Sequence, residues 1–203
     1  MIEVMLIRHM ETEWNEQLRY IGRTDLSLSE LGRENGRRLG EYLNDIEFSK
    51  LYSSSLKRTK ETASFIAVDR DMEVESLKRL NEVDFGAWEG LTHPEILDGF
   101  EDVMNSWRKD PSKEQIPDGE DWIQFEDRVK NEFERILAST KEGRLVIVTH
   151  AGPIKIILGD ILSVPPSRYW QIYQDKGAIN SVGVEGKRRW IVTVNDTCYR
   201  KVK

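Results

Sequence analysis

The chain alternates between short apolar runs and longer amphipathic stretches. Residues 2–7, Ile-Glu-Val-Met-Leu-Ile, are apolar and partly β-branched and predict a short buried strand. Ser29 to Leu43 carries Leu31, Asn35, Leu39 and Tyr42 at helical spacing and predicts a helix. Residues 49–53 predict a second strand, after which Ser54 or Ser55 is placed to cap a helix running to about Val68. Residues 73–77 predict a third short strand. Trp122, Phe125, Val129, Phe133 and Ile136 form one apolar stripe, so 121–138 predicts a helix. Residues 145–149, Leu-Val-Ile-Val-Thr, are an unbroken run, as expected for a strand covered on both faces. Pro153 stands where a helix opens, and residues 154–162 continue it. Residues 178–184 and 189–194 alternate around Glu185-Gly186 and predict two closing strands.

Strands that alternate with helices imply an α/β protein, here a three-layer α/β/α sandwich with a mainly parallel sheet. The length of 203 residues fits one domain, residues 1–203. Residues 81–120 interrupt the alternation. They are rich in Gly, Pro, Asp and Trp and read as an inserted lid, not as a second domain.

Composition narrows the function. A formal net charge of -6 argues against a general nucleic-acid or membrane role. Any anion site must then be built locally, from a few placed arginines. The single cysteine, Cys198, excludes an internal disulfide framework and fits a reducing compartment. The first ten residues hold only a short apolar run, broken by Glu3 and closed by Arg8, which is not a signal peptide. No stretch reaches transmembrane length, so the expected location is cytoplasmic. A homodimer is left open.

The candidate chemistry sits at predicted strand ends, where ligands bind in open α/β sheets. Arg8 and His9 follow the first strand, and His150 follows Leu-Val-Ile-Val-Thr. Two of the chain's three histidines thus hold equivalent positions. If those strands are neighbours their ends lie about 5 Å apart, close enough for one phosphoryl group to touch both imidazoles. Gly152 and Pro153 open a helix whose N-terminus favours an anion at the same place. Arg58 lies in the first turn of the helix after the second strand and, with Arg8, can clamp a phosphate through forked hydrogen bonds. Alone, Arg58 reads as part of a solvated face beside Lys57 and Lys60. Glu82 and Asp84 both qualify as the general acid that a leaving oxygen needs, and spacing does not separate them. The three histidines are not spaced as a metal cluster, and no Walker-type loop is present. His93, beside Pro94, reads as a surface or loop histidine and not as a ligand. Trp88, Trp107 and Trp122 read as packing, Lys187-Arg188-Arg189 as a charged turn, and Arg33 to Arg38 as a solvated helix face.

Taken in order, five stretches resemble the histidine phosphatase superfamily, the branch that holds phosphoglycerate mutases and small phosphatases. They are Arg8-His9-x-Glu11-Thr12-x-Trp14-Asn15, Gly22-x-Thr24-Asp25-x-x-Leu28-Ser29, Ser53-Ser54-x-Leu56-x-Arg58-x-x-x-Thr62-Ala63, Asn81-Glu82-x-x-Phe85-Gly86-x-Trp88-Glu89-Gly90 and Thr149-His150-x-Gly152. The resemblance covers nearly the whole chain. It implies a phosphoglycerate mutase-like fold and a metal-independent phosphomonoesterase without a cofactor. It also implies that His9 is phosphorylated, that Arg8, Asn15, Arg58 and His150 bind phosphate, and that Glu82 donates the proton. Ile21, Gly22 and Ala151 join the substrate contacts on the same grounds.

The chain departs from the family pattern at Met10, where glycine is usual, at Ile21, where a glutamine is frequent, and at Ala151, where glycine is frequent. The stretch from Trp107 to Val129, with Tyr169-Trp170 and Asp175-x-Gly177, is similar to α-ribazole phosphatases and implies α-ribazole 5′-phosphate as substrate. The alternatives are a broad-specificity phosphatase or a mutase. A non-catalytic phosphate-binding member would lack a catalytic residue, and here all are present.

Overall fold

The computed structural model describes residues 1–201. Its strands are β1 (Ile2–Arg8), β2 (Lys50–Ser54), β3 (Val74–Leu77), β4 (Gly143–Thr149), β5 (Ile179–Glu185) and β6 (Arg188–Asp196). They form one sheet in the order β3-β2-β4-β1-β5-β6. The first four are parallel, β5 runs antiparallel to β1, and β6 antiparallel to β5. The helices are α1 (Glu13–Glu16), α2 (Glu30–Leu43), α3 (Lys57–Ala67), α4 (His93–Lys109), α5 (Trp122–Ala138) and α6 (Ala151–Ile161).

The strand pleat sends alternate side chains into two separate cores. Val4, Leu6, Tyr52, Leu145 and Ile147 pack with Phe125, Val129 and Phe133 of α5 and with Ile154 and Ile157 of α6. Met5, Ile7, Leu51, Val146 and Val148 pack with Leu39 and Leu43 of α2 and Ala63 and Ile66 of α3. Helices therefore cover both faces, and the unbroken runs at residues 2–7 and 145–149 follow from burial on both sides. This is the expected three-layer sandwich.

Two sequence readings need correction. In α2 the buried face is Gly32, Asn35, Gly36, Leu39 and Leu43, while Leu31 and Tyr42 are 48% and 41% exposed. Gly36 lies against the Phe65 ring, so the contact face is marked by small residues and not by large apolar ones. Neither Ser54 nor Ser55 caps α3, whose N-cap position is Leu56, without a side-chain hydrogen bond. Ser54 is the last residue of β2, and Ser55 Oγ donates to Asn81 Oδ1. Residues 81–120 contain α4, a helix of 17 residues kinked at Phe100. The segment buries Trp88, Ile96, Met104, Trp107 and Ile116 in the same core as α5 and α6. No described helix is long and apolar enough to cross a membrane.

Candidate active site

The register of two parallel neighbours builds the site. Arg8 of β1 stands opposite Thr149 of β4, and the His9 N–H donates to Thr149 O at 2.9 Å. The chain leaves both strands in step, which sets the His9 and His150 rings side by side with centroids 5.1 Å apart. β2 pairs with the other edge of β4, so the end of β2 and the start of α3 bring Ser54 and Arg58 to the same place. Sequence spacing predicted this convergence of His9, His150, Arg8 and Arg58.

His9 is held in one protonation pattern. Its Nδ1 lies 2.7 Å from Met10 O. A carbonyl oxygen only accepts, so Nδ1 carries the proton and Nε2 keeps a free lone pair. Burial, followed by the nearby Arg58 and Arg8 charges, holds the His9 pKa well below the usual imidazole range. The backbone is fixed as well: Gly177 N donates to His9 O, and Met10 N donates to Thr62 Oγ1. Met10 points away from the site into the α2–α3 core and is fully buried, with its sulfur 3.7 Å from the Tyr199 hydroxyl. The departure from glycine therefore leaves the His9 face open.

The arginines are anchored by part of each guanidinium. Arg58 donates through Nη1 to Thr24 O and through Nη2 to Gly22 O, at 2.9 and 2.7 Å. Arg8 Nη1 donates to Gln174 O at 2.6 Å. Burial lowers the pKa of both, for Arg58 to about 10. Seven described buried side-chain nitrogens have no hydrogen-bond partner, and three of them, Arg8 Nε, Arg58 Nε and His150 Nδ1, belong to these residues. Buried donors are paired almost without exception. Three unpaired nitrogens beside one imidazole lone pair make a site for the oxygens of an anion.

The geometry separates the two acid candidates. Glu82 lines the cavity and accepts from Gly152 N and Val83 N, both at 3.1 Å. Burial raises its pKa, opposed by those two N–H groups and by Arg58 and Arg8. The Asp84 carboxylate turns away and accepts from Gly86 N at 2.9 Å. Arg128 braces the Glu82 segment, donating to Arg79 O, Asn81 O and Glu82 O while paired with Glu120.

A cavity of about 300 Å³ opens over these groups. Arg8, His9, Asn15, Ile21, Glu82 and Ala151 line it. Asn15 Oδ1 accepts from Thr12 N and Oγ, which leaves its amide N–H groups for the cavity. Arg58 and His150 are fully buried beneath, and Gly22 stands behind Arg58 as its acceptor. Sequence reasoning missed Lys155 and Lys176, which also line the cavity. Neither joins an ion pair among the described residues. Burial, then Arg8, lowers the pKa of each. The signal for Lys155 is its place four residues after Ala151, hence on the same face of α6. Trp107, Trp122, Trp170, Tyr20 and Phe85 form the aromatic wall, and Lys155 Nζ lies 5.2 Å from the Trp170 ring centre. Trp88 packs into the core and does not reach the cavity. His93 is the first residue of α4 and is partly exposed.

Comparison with known proteins places this geometry among relatives. Residues 4–197 match the model of the histidine phosphatase superfamily, branch 1. Phosphoserine phosphatase 1 of Hydrogenobacter thermophilus is 31% identical over 98% of this chain and 94% of its own. The adenosylcobalamin/alpha-ribazole phosphatase of Salmonella typhimurium is 27% identical over 90% of this chain and 91% of its own. The solved structure of Bacillus stearothermophilus YhfR superposes with a TM-score of 0.90 at 27% identity, over 98% of this chain and 99% of that one. With paired histidines at the ends of β1 and β4 and a family match over nearly its full length, this chain belongs to branch 1 of the histidine phosphatase superfamily.

Proposed function

We infer that the chain is a phosphomonoesterase that works through a phosphohistidine at His9. The observation that carries this reading is the free lone pair of His9 Nε2 beside three unpaired buried nitrogens, Arg8 Nε, Arg58 Nε and His150 Nδ1. His9 Nε2 attacks phosphorus in line, and the ester P–O bond breaks. Arg8, Arg58, Asn15 and His150 hold the three equatorial oxygens and offset their charge. Glu82, whose pKa burial raises, gives its proton to the departing oxygen. Water then attacks phosphorus, Glu82 takes the water's proton, and the P–N bond breaks as the P–O bond forms, which restores the His9 lone pair. Arginine and histidine supply all the charge this scheme uses.

For the leaving group the first reading is α-ribazole 5′-phosphate. The aromatic wall of Trp107, Trp122, Trp170 and Tyr20 suits a flat, nucleoside-like group, and α-ribazole phosphatases are among the relatives. A second reading, a small carboxylated ester of the phosphoserine type, is favoured by Lys155 and Lys176. The lid itself carries few cations, but these two lysines reach the cavity from α6 and from the segment before β5. It also agrees with the name of the 31% identical relative. A stacked base contributes about 1–3 kcal/mol and a charged hydrogen bond about 1.5–3 kcal/mol, so the two effects are of equal size. The deciding experiment compares kcat/KM for α-ribazole 5′-phosphate, phosphoserine and 3-phosphoglycerate. Failure to hydrolyse any phosphate ester in a wider panel would overturn the phosphatase reading itself.

A further inference from the structure

Ser54 Oγ lies 2.7 Å from His150 Nε2 and 2.7 Å from Thr59 Oγ1. All three side chains are fully buried. None belongs to the phosphate contacts except His150, so the two hydroxyls have no role in the scheme above. Counting protons shows what they do. A hydroxyl has one proton and two lone pairs. Thr59 Oγ1 is also within reach of Leu56 O, at 2.7 Å, and Leu56 N donates weakly to Ser54 Oγ, at 3.4 Å. Two complete arrangements follow. In one, Thr59 donates to Leu56 O, Ser54 donates to Thr59, and His150 Nε2–H donates to Ser54. In the other, Thr59 donates to Ser54, Ser54 donates to His150 Nε2, and the imidazole proton sits on Nδ1. Every hydroxyl is satisfied in both, so the hydroxyl pair itself favours neither strongly.

An anion breaks the tie. His150 Nδ1 is the ring atom without a protein partner. Phosphoryl oxygens only accept, and a bare Nδ1 would face them lone pair to lone pair. We propose that Ser54 and Thr59 form a tautomer relay that lets a neutral His150 donate Nδ1–H to the phosphoryl group. The relay rests on the phosphohistidine reading of the site. It spares the enzyme an imidazolium beside two arginines, in keeping with the burial and the Arg58, His9 and Arg8 charges that hold the His150 pKa well below the imidazole range. Ser54 and Thr59 are positioning residues in this account.

The test is nitrogen NMR of the ring atoms of the ¹⁵N-labelled protein, with sulfate, a tetrahedral dianion that carries no proton, as the probe at pH 8. The expected spectrum of the bound state shows His150 protonated at Nδ1 and bare at Nε2. A proton on Nε2 alone, or on both nitrogens, would overturn the relay. If sulfate perturbs neither His9 nor His150, the anion site is wrong and the relay falls with it. Kinetics gives an independent readout. Thr59→Val removes the hydroxyl that donates to Ser54 in the Nδ1–H arrangement, while Ser54 can still donate to Nε2, and is expected to lose about threefold in kcat/KM. Ser54→Ala leaves Nε2 buried without a donor and is expected to lose about tenfold or more. A merely structural role predicts losses that follow the melting temperatures of the two variants. Equal defects in both, or none in Ser54→Ala, would sink the proposal.

Discussion

The carboxylate of Glu82 and the backbone N–H of Gly152 are hydrogen-bonded at 3.1 Å. This bond ties the acid candidate to the first turn of α6, one residue beyond Ala151 at its start. The closeness is enforced on both sides, because a Cβ at position 152 would collide with Glu82 Oε1 and the Phe125 ring.

Glu82→Gln is expected to cut kcat by roughly 10²-fold or more, the usual scale for losing a general acid. Asp84→Asn, whose carboxylate serves Gly86 N, is expected to cost far less. The Glu82 defect should shrink for p-nitrophenyl phosphate, whose leaving group needs little protonation. A larger loss in Asp84→Asn would exchange the two roles.

His9→Ala is expected to abolish turnover. Wild-type protein mixed with substrate and quenched in base should retain phosphate that is released by acid. Turnover in His9→Ala near the wild-type rate would remove His9 from the nucleophile's role.

Activity should survive EDTA, because in the proposed scheme the charge that meets the phosphate comes from Arg8 and Arg58. Loss on chelation, with recovery on adding Mg²⁺ or Zn²⁺, would show that the scheme lacks a component.

The pH profile follows from the two shifted groups. The first step needs His9 unprotonated and Glu82 protonated. His9 lies well below the imidazole range and Glu82 above the usual carboxylate value, both chiefly through burial. kcat/KM should therefore fall as pH drops through the His9 pKa and as pH rises through the Glu82 pKa. For a good leaving group, Glu82→Gln should lose the basic limb and keep the acidic one. Stability carries a separate sign. Both histidines are depressed when folded, so the unfolded chain binds more protons below pH about 6.5. That contribution is present above this pH and lost as it falls, which melting curves across pH 4–8 will show.

Met10→Ala should destabilise the fold by about 2–5 kcal/mol, the range for emptying a buried methionine site. The side chain fills the space between Gly177 and Tyr199. A change below 0.5 kcal/mol in denaturant unfolding would mean that this packing contributes little.

The parts legible in sequence are those where one physical signal dominates. β1 and β4 show as apolar runs because both their faces are buried. His9 and His150 show because strand ends carry the chemistry of such sheets. The helical phase of α2 was hidden because close packing there uses Gly32 and Gly36, which carry no hydrophobic mark. Ser54 resembles a helix cap in one dimension, and only pairing of β2 with β4 reveals its bond to His150. α4 was obscured by Gly99 and the kink at Phe100. Lys155 and Lys176 are single cations in unremarkable surroundings, and only the folded cavity gathers them.

The strand order has a consequence for synthesis of the chain. β4 lies between β2 and β1, yet it is made about a hundred residues after them. At roughly 5–20 residues per second the ribosome has delivered His9 and Arg58 several seconds before the strand that separates and orients them. An emerging chain that stops short of Gly143 holds His9, Arg8 and Arg58 but has a gap at the centre of its sheet. Phosphate affinity should thus arise late and abruptly during translation, when a single long-range insertion closes the gap. Such non-local closure is the slow kind of step, and the nascent protein stays silent until it is complete.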